Sequence, residues 1–96
     1  MRTSPQVMPT ASGLECVRVL IGLGWLAAHW TEAECHLENG RFAIRVPMDA
    51  VISSERVAEL ASLAGITPIA FVAGLERVRR QEVAAFVAPR GRHASQ

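Results

Sequence analysis

Residues 25–47 read WLAAHWTEAECHLENGRFAIRVP, and this stretch decides the fold. Across Arg41–Val46 the residues alternate cleanly. Phe42, Ile44 and Val46 fall on one face, with Arg41, Ala43 and Arg45 on the other. Asn39-Gly40 just before them is a strong hairpin signal, because both central positions of a type I′ turn need positive φ. Glu34–Glu38 then supplies the partner strand, and Trp25–Thr31 a strand before that. Pro47 has no N–H to give to a ladder, so it stops the third strand. The expectation is a three-stranded antiparallel meander with one buried face. Trp25 and Trp30 are both expected in the core, where large rings are usually packed.

Helical periodicity lies on both sides of the meander. Ser12 with Glu15 has the spacing of a capping box, in which each residue satisfies an orphan N–H at the helix start. Leu14, Val17, Leu20, Ile21 and Leu23 mark an apolar stripe, and Gly24 suits the C-terminal stop. After the sheet, Ser53 or Ser54 caps a second helix whose stripe is Val57, Leu60, Ala61 and Ala64, closed by Gly65. Thr67-Pro68 opens a third, with Thr as cap and Pro in the first turn. Its stripe is Phe71, Leu75, Val78, Ala85 and Phe86, and Glu76–Arg80 has the i,i+4 spacing of an ion pair. The fold class is therefore α+β: helix, three-stranded antiparallel sheet, helix, and an extra C-terminal helix. Residues 12–88 form one domain, 1–11 a flexible N-terminal arm and 89–96 a flexible basic tail.

Composition narrows the function classes. At 96 residues, half of them apolar, the chain can bury one core and no more. Ten Arg and no Lys against nine acids leave a net charge of +1, which excludes a strongly basic nucleic-acid coat. Charge is uneven, however. Residues 1–74 carry five Arg and seven acids, and 75–96 five Arg and two acids. Two cysteines, Cys16 and Cys35, cannot frame a secreted disulfide scaffold. Cys35 and His36 are adjacent, so on a strand they point to opposite faces, which argues against a metal site. No cofactor is expected. The longest apolar run, Val19–Ala28, falls well short of the roughly 20 residues of a membrane span, and the expected location is the cytoplasm.

Gly24-Trp25, Val46-Pro47 and Ala64-Gly65-Ile66-Thr67-Pro68, with Phe71 after them, follow a succession that resembles the HicA-type toxins. These are small mRNA interferases with a double-stranded-RNA-binding-like fold. The resemblance spans about residues 14–72 and rests on short motifs. It implies a ribonuclease scaffold and, as natural partner, a HicB-type antitoxin. The departures are informative. The family's catalytic Gly-Ser-His falls on Glu32-Ala33-Glu34, which puts Glu34 at the histidine position. The second histidine, after Val-Pro, falls near Asp49, and the usual first-strand Arg falls at His29. A carboxylate at such a site repels phosphate and holds almost no proton at neutral pH.

The leading expectation is thus a HicA-like binding module with no catalytic residues in the family's places. It would act through a protein partner, antitoxin-like or a second copy, with weak RNA contact and no membrane or metal. Small regulators on mobile elements are another setting for such a scaffold, by fold analogy alone. Ile69, Ala70, Val72 and Ala73 form the expected partner face, and Arg41, Arg45, Arg77 and Arg80 the expected nucleic-acid contacts. The alternative is an active mRNA interferase with a rebuilt site: His36 and Glu34 share a strand face, with Arg45 across the hairpin. Glu34 could serve there as a base only if its pKa were raised. A third reading is a helix-turn-helix DNA-binding regulator, on the pattern Ala61, Gly65, Ile66, Phe71. Its reading helix, however, would expose Thr67, Pro68, Ile69, Ala70 and Ala73, none of which reads base edges well.

Overall fold

A computed structural model describes the backbone of residues 8–95 and the side chains of residues 8–82. Helix α1 runs Gly13–Gly22. Its start is the capping box expected: Ser12 Oγ accepts from Glu15 N at 3.0 Å, and Ser12 N donates to Glu15 Oε1 at 2.9 Å. Gly13 lies flat on the end of the sheet, where a Cβ would collide with the Pro47 carbonyl, and its N–H donates to Asp49 O at 2.9 Å. The helix stops as Gly24 takes φ +105°. That left-handed turn costs a glycine little, and it lets Trp25 N donate back to Leu20 O at 3.0 Å.

Strands β1 (Leu26–Trp30), β2 (Glu34–Asn39) and β3 (Phe42–Pro47) pair antiparallel in the order β1-β2-β3. The meander is therefore as expected, with one change at the turn. Asn39 pairs with Phe42, so the two central residues are Gly40 and Arg41. Only Gly40 has positive φ. A glycine at the first central position fits a II′-type turn, not the I′ turn expected of Asn39-Gly40. A register shift between Ala27 and His29 puts a bulge in the edge strand β1.

Helix α2 (Ser54–Leu63) is capped by Ser53, whose hydroxyl accepts from Arg56 N. Gly65 at φ +72° turns the chain, and α3 (Pro68–Ser95) follows. Thr67 Oγ1 accepts from Ala70 N at 3.1 Å. The axes of α2 and the first part of α3 meet at 110°. Among the described residues no single helix is long and apolar enough to cross a membrane.

Helices α1 and α2 pack on one face of the sheet, and α3 packs on α1 and α2. Cys35, Leu37, Ile44 and Val46 meet Cys16, Val17, Val19 and Leu20 of α1, Val57, Leu60 and Ala61 of α2, and Phe71, Leu75 and Val78 of α3. Trp25 closes one end of this core. Helices α1 and α3 cross closely because position 74 is glycine; a Cβ there would lie 2.9 Å from Val19 Cγ1.

Several expectations change. The buried stripe of α1 is Cys16, Val17, Val19 and Leu20, while Leu14, Ile21 and Leu23 are exposed. The close crossing with α3 turns α1 toward Val19 and Leu20 and away from Leu14 and Leu23. Trp30 is 48% exposed and Phe42 67%. Both lie on the helix-facing side of the sheet, yet at its ends, where helix cover is incomplete. Met8 and Ala11, from the expected loose arm, are buried, and Ala11 bridges to Ile52; the expected core thus gains an apolar edge before Ser12. The backbone of α3 is helical to Ser95, across the 89–96 stretch read as a tail. Residues 1–7, and the side chains of Ala85 and Phe86, lie outside the described residues.

Candidate functional site

The open face of the sheet gathers the polar residues. His29 on β1 sits opposite His36 on β2, and His36 sits opposite Arg45 on β3. The two imidazoles meet edge to face, with centroids 5.5 Å apart and planes at 73°. Two residues before His36 on the same face, Glu34 accepts from His36 Nε2 at 2.8 Å. Thr31 Oγ1 accepts from the backbone N–H groups of Ala33 and Glu34 at 3.1 Å each, which fixes the turn leading into β2. The three residues of the proposed rebuilt site therefore stand together, and His29 joins them.

The electrostatics assign their roles differently from the expectation. The hydrogen bond from His36, followed by the positive charges of His36, Arg45 and His29, holds the Glu34 carboxyl below its usual range. A carboxylate made more acidic is a poorer base, so the raised pKa that a basic role for Glu34 would need is not met. What it can do is orient the imidazole of His36, and imidazole is the side chain able to take and return a proton near neutral pH. Glu32 is exposed in the β1–β2 turn and Asp49 is exposed after β3. No group of three or more His, Cys, Asp or Glu among the described residues is placed to hold a metal ion. Cys16 and Cys35 are free and buried, and burial pushes the Cys16 thiol up to about 11, which leaves it inert as a nucleophile.

The opposite side of the molecule carries a trough. Its first depression, about 480 Å³, lies between the hairpin turn Asn39–Phe42 and Leu63–Gly65, with Trp25 as floor. A second, about 410 Å³, shares Trp25, Asn39, Ala64 and Gly65 with the first and continues to Leu23 and Ala70. A third, about 430 Å³, shares Leu23 and Ala70 and runs between α1 and α3 past Ala73 to Arg18, Arg77 and Gln81. Large apolar side chains stand exposed along it: Phe42 at 67%, Leu63 at 62% and Leu23 at 44%.

The structure divides the expected binding residues. Ala70 and Ala73 line the trough, and Ile69 is exposed beside Ala70. Val72 is half-buried against the core, next to the inward Phe71–Leu75 stripe, so it leaves the expected partner face. The four Arg expected to touch nucleic acid are not on one surface: Arg41 is at the hairpin end of the trough, Arg45 on the open sheet face, Arg77 on the trough wall and Arg80 exposed on α3. Glu76 and Arg80 form no ion pair. Instead Arg79 clamps Glu15, with Nε donating to Oε2 at 2.8 Å and Nη2 to Oε1 at 3.0 Å, while Arg18 meets Glu82 at 2.7 Å. Leu23, Phe42 and Leu63 escaped the sequence reading as surface residues. Leu63 alone left a signal, standing off the Val57–Leu60–Ala61 stripe.

The 110° between α2 and α3 falls within the range of a helix-turn-helix. The exposed start of α3 nevertheless offers Pro68, Ile69 and Ala70, which cannot address base edges. No family model, curated protein or solved structure matches the chain.

Proposed function

We propose that the chain is a HicA-like binding module of the cytoplasm, without the imidazole that the family places at the start of its second strand, and that it acts by holding a protein partner. One observation carries this reading: the continuous apolar trough, with Phe42, Leu63 and Leu23 left in water. Isolated exposed apolar residues are ordinary, but a row of them along a groove marks an interaction surface. The element order helix, three strands, helix supports the dsRNA-binding-like assignment, as does the turn at Gly24-Trp25. The test is recovery of the tagged protein from its native cell after cross-linking. A stoichiometric complex should appear, cross-linked through the trough, and Leu63→Glu should abolish it while melting unchanged. A lone monomer, or a complex indifferent to Leu63→Glu, overturns the reading.

The His36–Glu34 contact of 2.8 Å favours a second reading, an mRNA interferase with a displaced site. His36, oriented by Glu34, takes the proton of a ribose 2′-hydroxyl as its oxygen attacks the adjacent phosphorus. His29 returns a proton to the leaving 5′-oxygen, and Arg45 faces the phosphate. Purified protein would then cut RNA with a bell-shaped pH profile, and His36→Ala would abolish the cutting. Intact RNA after incubation across the whole pH range ends that reading.

A further inference from the structure

The occupant of the trough can be described more closely, on the strength of the partner-binding reading above. The trough is apolar in the middle and cationic at its ends, with Arg41 beside the hairpin turn and Arg18 and Arg77 between α1 and α3. All nine acids of the chain lie between Glu15 and Glu82, within the side chains described. Arg18 is matched by Glu82 and Arg79 by Glu15. Arg41, Arg77 and Arg80 have no carboxylate within ion-pair distance among the described residues. Arg41 and Arg77, at the two ends of the trough, are thus free to meet carboxylates of another molecule.

Shape selects the kind of segment. The third depression is walled along α3 by Ala70, Ala73, Gly74, Arg77 and Gln81. That is one face of a helix, about 16 Å long at 1.5 Å per residue. Such a ridge with a second helix beside it accepts a third helix by ridges-into-grooves packing. Strand addition needs a sheet edge, and no residue of β1 or of Ala43–Pro47 lines the trough. A nucleic-acid backbone needs cations along its path, whereas Val19, Leu23, Trp25 and Ala73 occupy the middle. We propose that the trough binds an amphipathic helix of a partner protein, apolar along its centre and acidic toward Arg77.

The probes are two fluorescein-labelled helical peptides of about five turns, sharing one Leu/Ala face. One carries Glu and the other Lys at the positions flanking that face. Each is titrated with the full chain by fluorescence anisotropy, beside a short single-stranded RNA. The Glu peptide should bind at least about tenfold more tightly than the Lys peptide, a margin that shrinks as salt is raised. Arg77→Glu, on an exposed residue, should reverse the ranking without changing the melting temperature. The proposal is overturned if the Glu peptide does not bind, if both peptides bind alike, if Arg77→Glu changes nothing, or if RNA binds more tightly and loses that binding in Arg77→Glu. Equal binding of the two peptides that Leu63→Glu abolishes removes the acidic helix and keeps the partner-binding reading. A native complex insensitive to Leu63→Glu removes that reading itself.

Discussion

The open sheet face and the trough are both washed by solvent, and they meet it in opposite ways. On the sheet, polar side chains answer one another: Glu34 holds His36, His29 stands against the His36 ring, and Arg45 sits across the pair. In the trough, Phe42, Leu63 and Leu23 stand exposed to water, and Arg77 has no acid within ion-pair distance among the described residues. The first surface pairs its carboxylate with an imidazole of its own. The second leaves apolar area and a charge uncompensated, and it is there that an outside molecule gains most by binding.

The comparison can be broken from below, through the core that supports both surfaces. Phe71 is fully buried beneath the trough wall, and Phe71→Ala should cost about 3–5 kcal/mol in denaturant unfolding. A loss confined to partner affinity would mean that α3 is not anchored as described. Next comes the pairing of α3 with the cap of α1. The Arg79 guanidinium beside Glu15 holds its carboxyl down at about 2, from an ordinary 4.5. Arg79 is 44% exposed on its side chain, so solvent screens much of that interaction and Arg79→Ala should cost about 1–2 kcal/mol. The sign follows from the depressed pKa: the contribution is present above about pH 4.5 and disappears as pH falls toward 2. Acid titration of stability should therefore be steeper across that window in the native chain than in Arg79→Ala.

Leu63→Glu sharpens the contrast between the surfaces. It should lower partner affinity by about tenfold or more, some 1.4 kcal/mol, and change unfolding stability by less than about 0.5 kcal/mol. The smallest effect belongs to the sheet face. Glu34→Gln should shift unfolding stability by less than about 0.5 kcal/mol, as for other exposed pairs. The ring signals of His36 in an NMR spectrum should nevertheless shift, because the 2.8 Å partner of its Nε2 has lost its charge. An unmoved His36 would mean that the 2.8 Å contact is not kept in solution.

Local chemistry was the legible part of the chain. Ser12 and Glu15, Ser53, Thr67-Pro68, Gly24 and Gly65 each act within a few residues of themselves, and each helix begins or ends where they say. Alternation in Phe42–Val46 correctly assigned the faces of β3. It could not say how far the helices cover a face, and so Trp30 and Phe42 were expected inside and stand in water. Arg79 and Glu15 are 64 residues apart, and nothing in a single sequence shows that α3 will cross the cap of α1. The cluster of His36, Glu34 and Arg45 could be read because strand period and hairpin register suffice to build it. His29 joined it through a bulge at Ala28 that the pattern did not announce. The trough was largely hidden, since it is made where four segments meet and belongs to none of them.

The empty position at Gly74 also acts as a gauge for the trough. That residue both lines the groove and touches Val19 of α1, so the spacing of the two walls is set by a hydrogen where any other residue would carry carbon. A single added methyl would meet Val19 Cγ1 at 2.9 Å, so that side chain or the helix behind it would have to give way. The clearance offered to a guest is thus written into the chain at one point of the wall it would meet.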